Sequence, residues 1–323
     1  MAYRPIVYQK AINMLERRRE QATLEANSRM LEITQKLPEI SEIQNKLSAI
    51  GFSISKLFFK GTNIEEEVQN LRRESLALQK RKKEILVKNG YDEDALTTKY
   101  HCSACNDTGY IKDRMCTCHR ELLKEIERNS LRRIAPLDTS TFETFDTRYY
   151  PDEVMENGIS PRQKAEKILN QCRLYAQSFN AHSPNLMFMG GTGLGKTHLS
   201  LSIANVAINK GFSVIYGTSQ NILSDLQNEN FGRTENIYYN EYDVLHTDLL
   251  ILDDLGTEYR NQYSVACLYN IINTRLLQKK PTIISTNVDY DDLSSAYDQR
   301  ITSRIAGEYS TLTLEGNDIR YIK

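Results

Sequence analysis

The chain has 323 residues, 40% of them hydrophobic and 26% charged, with a formal net charge of −1. That length allows two domains, one with a sizeable core. The near-zero charge excludes a global basic field, so any nucleic-acid contact must come from a local patch. No apolar run approaches the ~20 residues of a membrane span, and the opening MAYRPIVYQK lacks the apolar core of a secretory signal. A cytoplasmic protein without membrane contact is expected.

Residues 8–35 are charged and helix-favouring, with few breakers. Pro38 suits the first turn of a second helix, which Gly51 is expected to end. Thr62 or Asn63 would cap a third helix reaching Asn89-Gly90. Within it Ile64, Leu71, Leu78 and Ile85 recur every seven residues, with Val68 between, as in a seam facing one partner. An intramolecular helical hairpin is preferred over a self-associating coiled coil. A charged helical arm outside any catalytic core suits docking to another protein.

Six cysteines are present, and four crowd into Cys102-x-x-Cys105 and Cys116-x-Cys118. Thiolates are soft ligands, and four of them satisfy tetrahedral Zn²⁺. His119 is an alternative to Cys118 as fourth ligand, and His101 a lesser candidate. A closed four-ligand site has a structural role. A basic helix follows over 121–133, then a polar linker in which Phe142 and Phe145 either anchor on the core or flank a base. Ser160-Pro161 opens a helix reaching about Phe179.

The apolar run Leu186 to Met189 feeds GGTGLGKT, which matches the phosphate-binding pattern G-x-x-x-x-G-K-[ST]. Gly190, Gly191, Thr192, Gly193, Leu194 and Gly195 would turn backbone N–H groups onto the phosphates of ATP or ADP. Lys196 adds a full charge near the β/γ bridge, Thr197 a hydroxyl for Mg²⁺, and a helix over 198–210 its positive end beside His198. Strands are expected at 213–216, 248–252, 282–285 and 311–314, and helices at 219–227, 263–278 and 291–305, in the alternation of a parallel α/β sheet.

Leu249 to Leu252 run into Asp253-Asp254, a buried strand with an acidic tip. Asp253 would hold Mg²⁺, and Asp254 would polarise the attacking water, with Glu258 as fallback base. Asn287, at the end of TIISTN, could orient water near the γ-phosphate. Arg300 and Arg304 share a helical face, and an arginine given to a neighbour's γ-phosphate would stabilise transition-state charge. Arg320 could reach the phosphates of its own chain.

Taken together, GGTGLGKT, LLILDDLG, IISTN, RITSRI and the terminal GNDIR resemble the AAA+ ATPases, and more closely the bacterial and phage helicase loaders of the DnaC/DnaI type. CSACNDTGYI with the following CTCH is similar to the zinc element that precedes the ATPase core in several loaders. The resemblance implies ATP hydrolysis used as a switch, with Lys196, Thr197, Asp253 and Asp254 in the nucleotide site. It also makes Asn287 the first sensor, Arg304 the arginine finger and Arg320 the second sensor. Its partners would be the hexameric replicative helicase and single-stranded DNA, with self-association through the ATPase domain when loaded. The implied layout is a helicase-docking arm (1–98), a zinc element and basic helix (99–135), a linker (136–160) and an AAA+ P-loop core with a parallel sheet (161–323), without a C-terminal helical lid. Single-stranded DNA would stack along NENFGRTENIYYNEY, with Phe231, Arg233, Tyr238 and Tyr239 among acidic Glu229, Glu235 and Glu241. A transposition-helper ATPase of the IstB-like kind, or a non-catalytic nucleotide-binding adaptor, are the alternatives.

Overall fold

The computed structural model describes residues 3–60, 65–155, 158–233 and 237–322, and these divide into two compact units. One unit spans Ile12–His119, and the other combines Met1–Ala11 with Arg120–Lys323. The expected cap at Thr62 or Asn63, the seam residue Ile64 and the acidic Glu235 lie outside the described residues.

The first unit is built from helices α1 (Pro5–Lys36, whose first residues belong to the second unit), α2 (Pro38–Lys60) and α3 (Glu65–Lys88). Helix α2 does not end at Gly51: Ile40, Ile43, Leu47 and Ile50 form a helical-period stripe whose burial carries the helix past the glycine. Ile40, Ile43 and Leu47 of that stripe cluster with Leu78, Ile85 and Leu86 of α3, so the later part of the seven-residue seam closes an intramolecular hairpin. Arg81 reaches across to Glu39 at 3.1 Å, a pair too exposed to add much stability. A short antiparallel hairpin, β1 (Tyr110–Ile111) and β2 (Arg114–Met115), follows with Tyr110 opposite Met115. Helix α4 (Thr117–Arg132) begins four residues earlier than expected, which places Cys118 and His119 in its first turn.

The second unit carries α5 (Pro161–Ser178), β3 (Asn185–Met189), α6 (Lys196–Asn209), β4 (Val214–Thr218) and α7 (Ser219–Asn230). It continues through α8 (Glu241–His246), β5 (Leu249–Leu255), α9 (Gln262–Leu277), β6 (Thr282–Thr286), α10 (Tyr290–Ala296), α11 (Gln299–Glu308) and β7 (Tyr309–Thr313). Ser160 caps α5 in a full capping box with Gln163. The five strands form a parallel sheet in the order β4-β5-β6-β3-β7. The strand before the phosphate loop therefore sits beside β6, with β5 one place further on, so the loop and the acidic tip emerge at the same carboxyl edge. Strands β3 to β6 are buried almost throughout because both faces of the sheet are covered there, whereas edge strand β7 is partly exposed.

The single helix expected over 291–305 is two. Asp289 caps α10 and Asp298 caps α11, each accepting from a backbone N–H of the turn it begins, and Tyr297 between them is extended. The short α8, capped by Asn240, had no periodic signal to reveal it. Phe142 and Phe145 are buried in the core with Leu137 and Tyr150, so the polar linker is bound to the second unit.

Glu127 of α4 is fully buried, and its Oε1 accepts from the Val214 N–H on edge strand β4. Arg4 donates to Glu127 Oε2 at 3.2 Å and is itself buried. Desolvation is the main force on this carboxyl and pushes its pKa up, with Arg4 opposing. Removing one member of a buried pair leaves the other uncompensated. Arg4→Ala is therefore expected to lower stability by about 3–5 kcal/mol in urea unfolding; a loss below ~1 kcal/mol, the value of an exposed pair, would contradict the assignment.

Candidate nucleotide site and cysteine centre

The phosphate loop leaves β3 at Met189 and ends in α6, whose first residues are Lys196 and Thr197. Gly195 caps α6 in the left-handed region (φ 82°), and a Cβ there would meet the Phe145 ring at 2.6 Å. Tyr150 donates to the Leu194 carbonyl at 2.6 Å, so the linker supports the loop from beneath. Lys196 is buried and donates to the Gly190 and Gly191 carbonyls at 2.7 Å. Burial pushes its pKa down, while Asp254 and Asp253 pull it up.

A cavity of about 490 Å³ is lined by residues Thr192 to His198 together with Asp254 and Arg320. Asp253 lies just behind it, 2% exposed. Its Oδ2 accepts from Thr197 Oγ1 at 2.9 Å and from Tyr216 Oη at 2.8 Å, and Ser285 Oγ donates to its Oδ1. Hard oxygen donors from Thr197 and Asp253 meeting at the phosphate loop suit Mg²⁺. Asp254 stands at φ 52°, a left-handed conformation that Asp and Asn tolerate best among residues with a Cβ. Its backbone N–H donates to Ser285 Oγ.

Glu258, Asn287 and Arg304 are not among the residues that line this cavity. Glu258 cannot act as fallback base: its carboxylate is buried, accepting from the Gly256 N–H at 2.9 Å and from the Tyr297 hydroxyl. Asn287 is exposed just beyond β6. Arg304 donates to Asn273 at 3.0 Å and to the Tyr269 hydroxyl at 3.2 Å, and its guanidinium and that of Arg300 lie over the Tyr269 ring, 5.0 and 5.1 Å from its centroid. A second cavity of about 740 Å³ opens beside this stack, lined by Arg260, Asn261, Val265, Tyr269, Asp298 and Arg300 among others. Phe231 is 63% exposed, whereas Tyr239 is buried with its hydroxyl on the Tyr216 carbonyl at 2.8 Å. Tyr239 is therefore a core residue and unavailable for stacking on a base.

The Sγ atoms of Cys102, Cys105, Cys116 and Cys118 all lie within 4.8 Å of one another. His119 is not in this cluster: its ring is buried against Gly109 and edge-on to Tyr110, with centroids 5.3 Å apart. Asp107 shapes the first knuckle by accepting from the His101 and Cys102 N–H groups at 2.8 and 2.9 Å. The Cys105 backbone N–H holds the Cys102 thiol down at about 7, while burial raises those of Cys105 and Cys118. This is the donor set of a closed, soft-ligand metal centre.

Residues 156–308 match the family model described as IstB-like ATP binding protein. The replicative helicase loader DnaC of Buchnera aphidicola subsp. Acyrthosiphon pisum is 30% identical over 163 residues, which cover 49% of this chain and 65% of the relative. DnaC of Escherichia coli K12 is 28% identical over 139 residues, covering 42% of this chain and 56% of the relative. Over about half of its length the chain is similar to the loaders named DnaC. The matches span less than two thirds of those relatives. The crystal structure of the DnaC helicase loader aligns with 56% of this chain and 99% of its own, at 23% identity and a TM-score of 0.47. The second unit has a parallel five-stranded sheet with the phosphate loop after β3 and the acidic tip on β5.

Sequence reasoning missed Tyr216 and Tyr150. A tyrosine in an otherwise aliphatic strand, Val214 to Tyr216, was the available signal for the first. For Asp254, burial and then the Asp253 charge raise the pKa, with Lys196 and Arg320 opposing. A raised folded-state pKa means that folding disfavours the ionised form, a cost present at neutral pH and gone below the unfolded pKa. Asp254→Asn is thus expected to stabilise the fold at pH 7, by on the order of 1 kcal/mol or less because the carboxyl is partly solvated. The gain should vanish below pH ~3.9 in paired thermal melts; an equal gain at both pH values would contradict the electrostatic cause.

Proposed function

We propose that this chain binds ATP with Mg²⁺ in the phosphate-loop cavity, hydrolyses it as a switch, and uses that switch to hold a hexameric replicative helicase and place it on single-stranded DNA. The carrying observation is the convergence of Lys196, Thr197, Asp253, Asp254 and Arg320 at one sheet edge in a chain similar to DnaC over about half of its length. Lys196 would neutralise the β/γ oxygens. Thr197 and Asp253 would hold Mg²⁺, which when bound offsets charge developing on the transferred phosphoryl group. Asp254, partly desolvated, would accept a proton from the attacking water, with Asn287 orienting that water. A recess of about 170 Å³ lined by Phe145, Tyr149, His198 and Ile319 adjoins the loop and suits a purine base.

Arg304 would serve the γ-phosphate of a neighbouring copy. Its absence from the lining of its own chain's cavity, and its place over Tyr269, which lines a second cavity, support a role across an interface between copies. The cysteine cluster would hold one structural Zn²⁺. Helicase docking is assigned to residues 1–98, the zinc element to 99–135 and the linker to 136–160, with 161–323 as the ATPase core. The match to the IstB-like family model favours a second reading, a transposition helper; the helical hairpin and the cysteine centre ahead of the core speak for the loader.

Asp254→Asn should keep ATP binding and lower turnover by roughly 10²–10⁴-fold, the range of a lost general base, in phosphate-release assays; unchanged turnover removes Asp254 from the chemistry. The chain should co-purify with the replicative helicase of its own host in a manner altered by ATP. No complex with or without ATP would remove the loader reading. Purified protein should contain about one zinc ion per chain, and Cys105→Ser should lose it; a content near zero would remove the metal assignment.

A further inference from the structure

The phosphate loop is touched by an anion of the chain itself. A Cβ built on Gly193, at φ 73°, would lie 1.8 Å from Asp318 Oδ1, so that carboxylate rests directly on the loop backbone. The Ile319 N–H donates to the Gly193 carbonyl at 3.3 Å and holds this terminal turn in place. Asp318 in turn grips Arg320 bidentately, with Nε on Oδ1 at 2.9 Å and Nη2 on Oδ2 at 2.6 Å. Arg320 lines the same cavity as Lys196, Thr197 and Asp254. A guanidinium fork fits a carboxylate and a phosphate equally well, so the two anions compete for one cation. Arg320 is 68% exposed, so the pair is screened by solvent and exchanges readily.

We propose that Asp318 is a positioning residue that parks Arg320 beside the loop and yields it to the γ-phosphate of a bound nucleoside triphosphate. This rests on the nucleotide-binding reading above. The exchange makes affinity sensitive to the third phosphate: a diphosphate leaves Arg320 with Asp318, whereas a triphosphate takes it. Asp318 thereby sets how strongly the chain tells the two nucleotides apart. The identity of the terminal turn matters as well, because the Arg320 N–H also donates to Asp318 Oδ1 at 3.0 Å.

The test uses the full chain and the variants Asp318→Asn, Arg320→Ala and the double variant, titrated with a non-hydrolysable ATP analogue and with ADP. Asparagine keeps the acceptor that caps the turn, so folding is preserved, and equal melting temperatures check this. Asp318→Asn is expected to tighten the triphosphate analogue by roughly 5- to 10-fold, at the low end of typical coupling, and ADP by less. In the Arg320→Ala background the same substitution should shift both nucleotides equally. Equal shifts with Arg320 present, or weaker triphosphate binding by Asp318→Asn, would overturn the proposal. A wild-type chain that binds neither nucleotide would instead remove the reading beneath it, and the proposal with it.

Discussion

The Asp253 carboxylate is the point on which the second unit converges. Three hydroxyls reach it, from Thr197 on α6, Tyr216 on β4 and Ser285 on β6. A carboxylate 2% exposed would be costly without such donors. With them it ties the phosphate-loop helix to three adjacent strands, and no rotation of one element can occur without breaking a charge-assisted bond. The same geometry leaves Thr197 and Asp253 side by side as oxygen donors, so the bonds that rigidify the sheet edge also prepare an ion site.

Around that point the loop is held from several directions. Phe145 and Tyr150 come from the linker, Lys196 folds onto the loop carbonyls, and Asp318 with Ile319 approach from the C-terminal turn. The polar linker, whose Phe142 and Phe145 stand out in the sequence, is therefore part of the site. Burial of Phe142 and Phe145 fixes the linker, and the linker fixes the loop.

Much of this was legible beforehand. The glycine pattern, the apolar strands with an acidic tip and the Ser160-Pro161 helix start each carry a local physical signature, and they appear where expected. What escaped depends on tertiary partners. Gly51 reads as a helix end until the apolar stripe of α2 meets α3, whose packing outweighs a glycine's cost. The division between α10 and α11 rests on Asp298 preferring a cap to a helix interior. Glu258 looked available because nothing near it in sequence announces Tyr297 as its partner. His119 is adjacent to a ligand cysteine in sequence, but the first turn of α4 directs it under Gly109.

The account stands on the charge of Lys196 acting inside a partly dry loop opposite Asp253. Nucleotide titration of Lys196→Ala against the wild-type chain, with Mg²⁺ present, tests this most directly. Loss of one desolvated charge-assisted contact should weaken ATP by at least roughly tenfold, from about 1.5–3 kcal/mol, with the melting temperature kept. Equal affinity in the two proteins would contradict it.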